Sequence, residues 1–298
     1  MIDKIFLNDI IANPYKISKL EFRSISQILR QAVDILNEET LLLDLNVDDI
    51  DSEIFIIGDI HGNMKSLLRL IEIIEQANPK YVIFLGDIVD RGIKQLECLI
   101  LILALKIRYP NKYYLLKGNH ETLEMNQYYG FYQEFMSKFN DQKRFDEILA
   151  VYNALPFCAL INKSILCLHG GIPEDIEILR KLRGLKPKDV ALVFKSIAKS
   201  LMQIMWNDPK SGLKGFSESF RGPGIKFFEE DVFDSFMKEY NLKYLIRSHE
   251  IFPEGYRWFF KKRLLSIFSS ANYRGKFAPN PASYAIIKKN LVIPKLVE

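Results

Sequence analysis

The sequence has little cysteine, little histidine and no long apolar run, and each scarcity excludes something. Cys98, Cys158 and Cys167 are the only three cysteines in 298 residues, odd in number and scattered among apolar neighbours. A disulfide framework is therefore not expected. Each thiol reads as a small buried hydrophobe, and a reducing cytoplasm is the natural setting. The most apolar segment, CLILILAL at 98–105, is eight residues long. A bilayer span needs about 18 or more, so the segment reads as a buried helix and no membrane partner is expected. The opening MIDKIFLNDI puts acids and an asparagine where a secretory leader carries neither, so no leader is expected. Charge of one sign is not in excess either. The 41 basic and 37 acidic residues leave a formal net charge of +4, too small to imply a nucleic-acid partner. The densest basic clusters, RKLR at 180–183 and KKR at 261–263, read as solvated surface. No repeat, low-complexity tract or Gly/Ser linker interrupts the chain, which argues for one domain over 1–298 with a substantial core.

What is there begins with a helical first fifty residues, in which ISQILRQAVDIL has amphipathic spacing, so 1–53 is expected as a helical segment packed on the core. From residue 54 the pattern alternates. IFII (54–57) precedes a helix over 66–77, YVIFL (81–85) precedes a helix over 95–108 that Pro110 ends, and YYLL (113–116) comes next. This βαβαβ order predicts an α/β fold, with a parallel sheet covered by helices. Helices over 122–137 and 142–153 lead to SILCL (164–168), and a further helix-rich span leads to KYLI (243–246) and LLSIF (264–268). YAIIKKNLVI near the end reads as a hairpin.

The loops that leave these strands carry the chemistry. IFII runs into Gly58-Asp59-Ile60-His61-Gly62, and YVIFL into Gly86-Asp87-Ile88-Val89-Asp90-Arg91-Gly92. YYLL, SILCL and KYLI run into Gly118-Asn119-His120-Glu121, His169-Gly170-Gly171 and Arg247-Ser248-His249-Glu250 respectively. Loops at the carboxyl ends of parallel strands gather in one crevice, and glycines there permit tight turns. The chain has four histidines, and all four lie in these loops. Imidazole, carboxylate and amide ligands without thiolate suit Mn, Fe or Zn, with Mg less suited to imidazole. Paired metals about 3.5–4 Å apart are a recurring solution to phosphoester hydrolysis, and arginine forks complete the recognition of phosphate.

GDIHG, GDIVDRG, GNHE, HGG and RSHE, in this order and spacing, resemble the phosphoprotein phosphatase family of serine/threonine phosphatases. YGFYQEF, MWNDP, RGPG and FSSANYRG resemble that family's intervening segments, so the likeness spans nearly the whole chain. The resemblance implies a calcineurin-like metallophosphoesterase fold, with a central β-sandwich of mixed sheets between helices in four α-β-β-α layers. It implies one metal held by Asp59, His61 and Asp87 and a second by Asp87, Asn119, His169 and His249, with Asp87 bridging. His120 would be the general acid and Asp90 its orienting partner. Arg91 and Arg221 would bind phosphate oxygens, with Tyr273 and Tyr129 bordering the cleft. The implied reaction is hydrolysis of phosphorylated serine or threonine on proteins, by direct attack of a metal-bridging water or hydroxide. The implied cofactors are two divalent ions, Mn first and Fe or Zn as alternatives.

The match has departures. Ala271 stands where the family usually shows proline, Arg274 where several members carry cysteine, and Thr122 where cysteine is common. Two related activities share the motif set in part: dinucleoside-polyphosphate hydrolysis and broad-specificity metallophosphoester hydrolysis. The Asp90 of DRG and the RGPG segment favour phosphoprotein substrates over both.

Overall fold

The computed structural model describes residues 2–47, 49, 51–212, 214–275 and 277–297. The chain opens with α1 (Lys4–Ala12), a 3-10 turn over Pro14–Lys19, α2 (Phe22–Leu36) and β1 (Leu42–Leu45). The predicted alternation comes next as β2 (Ile54–Ile57), α3 (Met64–Ala77), β3 (Tyr81–Phe84), α4 (Gln95–Arg108) and β4 (Tyr113–Leu115). Then come α5 (Leu123–Tyr129), α6 (Phe131–Phe139), α7 (Gln142–Ala154), β5 (Cys158–Ile161) and β6 (Ile165–Leu168). The second half runs α8 (Ile178–Leu182), α9 (Val190–Trp206), β7 (Asp208–Pro209), β8 (Phe216–Glu218), β9 (Lys226–Phe228) and α10 (Glu230–Glu239). It closes with β10 (Tyr244–Arg247), β11 (Tyr256–Phe259), β12 (Leu264–Ile267), β13 (Ser283–Lys288) and β14 (Leu291–Leu296).

Two sheets face each other. One has the order β1-β5-β6-β10-β12-β11 and the other β14-β13-β2-β3-β4, with β7, β9 and β8 forming a small third sheet. β2, β3 and β4 are parallel as expected, but β13 joins β2 antiparallel and brings the β14 hairpin with it. The expected parallel sheet is thus half of a mixed sandwich. The hairpin turns at Lys289 and Asn290, both with positive φ, as a tight two-residue turn requires.

The pleat explains the layers. Ile54, Ile56, Ile83 and Leu85 point between the sheets toward Ile165, Cys167, Ile246 and Leu265. The alternate residues Phe55, Ile57, Val82 and Phe84 point outward into a core supplied by α1 to α4, α6 and α7. On the opposite outer face Leu166, Leu168, Leu245 and Leu264 pack with Leu179, Leu201, Ile204, Phe233 and Phe236 from α8, α9 and α10. Strands buried on both faces read as continuous apolar runs, which is why IFII and YVIFL show no alternation.

Two expectations are corrected, and two strands are added. Within the first fifty residues Leu42–Leu45 is a strand that pairs in parallel with β5 at a sheet edge, because Leu42, Leu43 and Leu45 are needed to extend that sheet's burial. The helix expected over 122–137 is broken at Gly130, whose φ of 114° redirects the chain between α5 and α6. Strands β5 and β11, at 158–161 and 256–259, are not marked by the sequence pattern. The expectations for the cysteines and the basic clusters hold. The three cysteines are free and buried. RKLR and KKR lie at the surface, where Arg180, Lys181, Arg183, Lys261 and Arg263 all meet acids. No described helix is long and apolar enough to cross a membrane.

α4, which contains CLILILAL, is buried on every side from Gln95 to Ile107. Its Lys106 is fully buried, donating to the Glu39 carboxylate and, at 2.8 Å, to the Pro110 carbonyl. Burial pushes the lysine down and the glutamate up, and each partner's charge opposes that push. Lys106→Met would strand Glu39 and should lower unfolding free energy by about 3–5 kcal/mol, with most of it regained when Glu39→Gln is added. Urea unfolding of the two variants reads this. A single-variant loss below about 1 kcal/mol would show that the pair is effectively hydrated.

Candidate metal centre

The loops after β2, β3, β4, β6 and β10 meet where the two sheets end together. Asp59 and His61 come after β2, Asp87, Asp90 and Arg91 after β3, and Asn119 and His120 after β4. His169 and His249 arrive from the opposite sheet, after β6 and β10. Of these side chains, the aspartates, Asn119, His61, His120 and His169 are buried, and the ring of His249 is nearly so. The turns are tight enough that His61, Asp87, Asp90, Arg91 and His249 have φ between 48° and 74°. Such left-handed conformations persist only where surrounding bonds over-determine them. Gly118 shows the crowding: a Cβ there would lie 2.2 Å from Asp87 Oδ1.

Hydrogen bonds fix which nitrogens face inward. His61 Nδ1–H donates to the Val89 carbonyl at 2.9 Å, and His169 Nδ1–H to the Leu85 carbonyl at 3.0 Å. Their Nε2 atoms therefore point into the site. His61 Nε2 is 3.6 Å from both Asp59 Oδ2 and Asp87 Oδ2. His169 Nε2 is 3.4 Å from Asp87 Oδ2, 3.0 Å from Asn119 Oδ1 and 3.2 Å from His249 Nδ1. One carboxylate oxygen, Asp87 Oδ2, thus touches both histidines, as a bridging ligand would. His249 Nε2 is buried without a hydrogen-bond partner, so that ring's polar function lies on its Nδ1 side.

These potential ligand atoms crowd one another in a buried site. Such an arrangement is repulsive unless a proton or a metal cation lies among the donors, and the donor set is that of a borderline divalent ion. Two groups among the described residues could hold an ion, His61–Asp87–His120 and Asp87–His169–His249, with ligand atoms within 4.8 Å of one another. The residues fit two ions sharing Asp87. Asp59, which the resemblance named for the first ion, borders that group through His61, and its Oδ1 accepts from the Ser248 hydroxyl and the His249 N–H.

The electrostatics agree. Burial would raise the Asp87 carboxyl, but the His169, His120 and His61 rings outweigh it and hold it well below the usual range. Burial would lower His61, but its bond to Asp59 and the charges of Asp87 and Asp59 push it up to about 9. His169 is raised despite its burial, chiefly by Asp87. His249 is held well below the usual value, first by burial and then by Arg221, His169 and Arg247, and so presents a neutral ring.

His120 stands slightly apart. Its Nδ1 is 2.7 Å from Asp90 Oδ2, and its Nε2 is 3.9 Å from Asp87 Oδ2. Asp90 is satisfied by two further donors, Asn126 Nδ2 at 3.0 Å and the Phe131 N–H at 3.1 Å. Asn126 also donates to the His120 carbonyl and accepts from the Tyr152 hydroxyl at 3.0 Å. The centre opens into a cleft of about 650 Å³ lined by Arg91, Arg221, Tyr129, Tyr273 and Arg274 among others. The Arg91 guanidinium lies 3.6 Å from the centroid of the Tyr129 ring, which aims it. Arg221 Nε donates to Asp208 Oδ2 at 2.5 Å, and Arg247 binds the other Asp208 oxygen at 2.8 Å. Tyr273 stacks near His61 with centroids 5.0 Å apart, and burial raises its hydroxyl, leaving it a neutral donor.

Every predicted site residue is thus brought together, with Asp90 and His169 behind the cleft wall. Sequence reasoning missed the supporting residues. Glu121 and Ser248 lay inside the quoted motifs but had no role assigned, and Glu121 accepts from the backbone N–H of Asp87, Ile88 and Gly118. Asn126 and Gln95 gave no local signal, and Asp208 lay inside the quoted MWNDP but had no role assigned. Two departures acquire reasons. Thr122 caps α5 by accepting from Met125 N–H, and the Ala271 N–H donates to Ser66 Oγ at 3.1 Å, a bond that proline cannot make.

Residues 52–253 match the calcineurin-like phosphoesterase family. A protein serine/threonine phosphatase from Saccharomyces cerevisiae is similar over 100% of this chain and 96% of its own, with a TM-score of 0.84 and 26% identity. A cold-active protein-tyrosine phosphatase from a psychrophilic Shewanella aligns over 89% of this chain and 84% of its own, with a TM-score of 0.61 and 18% identity, a likeness of fold alone.

In the metal-free protein His61 stays protonated below about pH 9, so an ion that ligates its Nε2 must displace that proton. Mn²⁺ binding at pH 7.5 should release about one proton or more, and the apparent affinity should rise about tenfold per pH unit from 6 to 8. Titration calorimetry in buffers of different ionisation enthalpy measures the release. Zero release would show that the rings are already neutral. Asp87→Asn should lose both ions together, read by elemental analysis.

Proposed function

The chain belongs to the calcineurin-like phosphoesterase family, in its phosphoprotein phosphatase branch, and from that premise we propose that it hydrolyses phosphoserine and phosphothreonine on proteins. The observation that carries the reading is the His120–Asp90 pair beside the candidate metal centre, in a cleft that Arg91 and Arg221 both line. Two divalent ions held by Asp59, His61, Asp87, Asn119, His169 and His249 would supply an activated water and neutralise phosphate charge. Mn fits that donor set, as do Fe and Zn.

The chain's own residues do the rest. Arg91, aimed by Tyr129, and Arg221, held by Asp208, orient the phosphate oxygens as charge-assisted forks. Tyr273 donates from its neutral hydroxyl. His120 carries its proton on Nε2 toward the cleft, while Asp90 accepts from Nδ1–H and stabilises the imidazolium. The Nε2 proton passes to the departing seryl or threonyl oxygen as the P–O bond breaks. The three cysteines are buried, and burial raises their thiols, so none supplies a thiolate.

The serine/threonine reading is supported by the yeast likeness and by DRG, in which Asp90 orients the acid. The test is turnover by metal-stripped protein, with and without Mn²⁺, on phosphothreonine and phosphotyrosine peptides, bis-nitrophenyl phosphate and diadenosine tetraphosphate. Metal-dependent release chiefly from phosphothreonine is expected. Preference for the dinucleotide or the diester would move the reading to the corresponding hydrolase. His120→Asn should retain both ions and lower kcat by about 10²–10⁴-fold. Loss of an ion instead would make His120 a ligand, as its place in the first candidate group also allows.

A further inference from the structure

A second groove of about 410 Å³ adjoins the cleft and shares His61, Arg91 and Tyr273 with it. Its other walls come from places the catalytic reading does not use: Tyr15 in the N-terminal 3-10 turn, Lys65 at the start of α3, Ile93 before α4, and Ala271. Ile93 is 87% exposed and Tyr15 60%, so both present apolar surface to solvent beside the phosphate-binding arginine. No acidic residue lines this groove among the described residues. Lys94 is neutralised by Glu97 at 3.0 Å. Among the described residues Lys65, Arg91 and Arg274 have no carboxylate partner, and Arg274 lies on the cleft wall next to Tyr273. The acids of the cleft are already engaged: Asp59 and Asp87 face the histidines, and Glu250 binds Arg247 at 2.8 Å.

Resting on the phosphoprotein reading, we propose that this groove takes the residues flanking the phosphorylated one and selects an acidic segment that includes a large apolar side chain. The apolar side chain packs against Tyr15 and Ile93, and carboxylates meet Lys65 and Arg274. Continuity supports this, since a chain whose phosphate lies at Arg91 passes directly from one cavity to the other. Charge complementarity supports it too, because a basic flank would face the unpaired Lys65 of the groove and Arg274 of the adjoining cleft and find no free acid among the lining residues.

The test compares kcat/KM on three phosphothreonine peptides of equal length, flanked by alanine, by phenylalanine and glutamate, or by lysine. It uses wild type, Lys65→Glu and Ile93→Ser, with p-nitrophenyl phosphate as a substrate too small to reach the groove. An exposed ion pair changes binding by up to about fivefold, and two act here, so wild type should prefer the Phe/Glu peptide over the Lys peptide by about tenfold at low salt. Lys65→Glu should shrink or reverse that ratio. Ile93→Ser should raise KM for the Phe/Glu peptide while kcat holds. A wild-type ratio near one, or a ratio unchanged in Lys65→Glu, overturns the assignment. Turnover of p-nitrophenyl phosphate with none of any peptide overturns the phosphoprotein reading, and the groove's role with it, and is distinct from equal turnover of all three.

Discussion

The Glu121 carboxylate accepts three backbone N–H groups, from Asp87 and Ile88 after β3 and from Gly118 after β4. It thereby ties two strand-end loops into one rigid turn, and most of the centre depends on that tie. Asp87 can hold a left-handed φ and still present Oδ2 to histidines of both sheets, because its own N–H is satisfied from behind and its Oδ1 accepts from the His120 N–H. Glu121 is itself raised, first by burial and then by the charge of Asp87, and its three donors are what stabilise an anion so placed. The geometry of the candidate centre rests on a residue that does not line the cleft.

Around that turn the charges are arranged in opposition. Carboxylates are placed next to imidazoles, arginines next to Asp208, and each is buried deeply enough that removing one partner leaves the other exposed to its neighbours' fields. The Asp208 carboxylate shows the logic: it holds the cleft-facing Arg221 on one oxygen and the fully buried Arg247 on the other. Arg247 in turn donates to the Gly170 carbonyl, one residue beyond His169. The Arg221 side of the cleft and the second candidate ligand group therefore share one hydrogen-bonded frame.

The candidate ligands stood out in the sequence because each occupies a short turn at a strand end, where Gly, Asp and His have few structural reasons to recur together. The fold was legible where apolar runs were long, as in IFII and YVIFL, and where a turn fixed a hairpin. The first fifty residues misled because a four-residue strand at a sheet edge carries no period of its own; Leu42–Leu45 is defined by its distant pairing with β5, in the register Leu42 to Cys158. The helix break at Gly130 needed the backbone angle to be seen. The supporting residues stayed hidden for a similar reason. Gln95 lies in a helix that reads as core, yet its side chain accepts from the Asp90 N–H and donates to Glu134. Asn126 reads as an ordinary helical residue until α5 is folded against Asp90. Their roles arise from contact, not from local pattern.

The ligands are divided between the two faces of the sandwich. Asp59, His61, Asp87 and Asn119 come from one sheet, and His169 and His249 from the other. An ion bound among these candidate ligands would be a clasp across the open end of the sandwich, and its binding energy would enter the folding equilibrium. Removing such an ion would loosen the join between the two sheets as well as empty the centre.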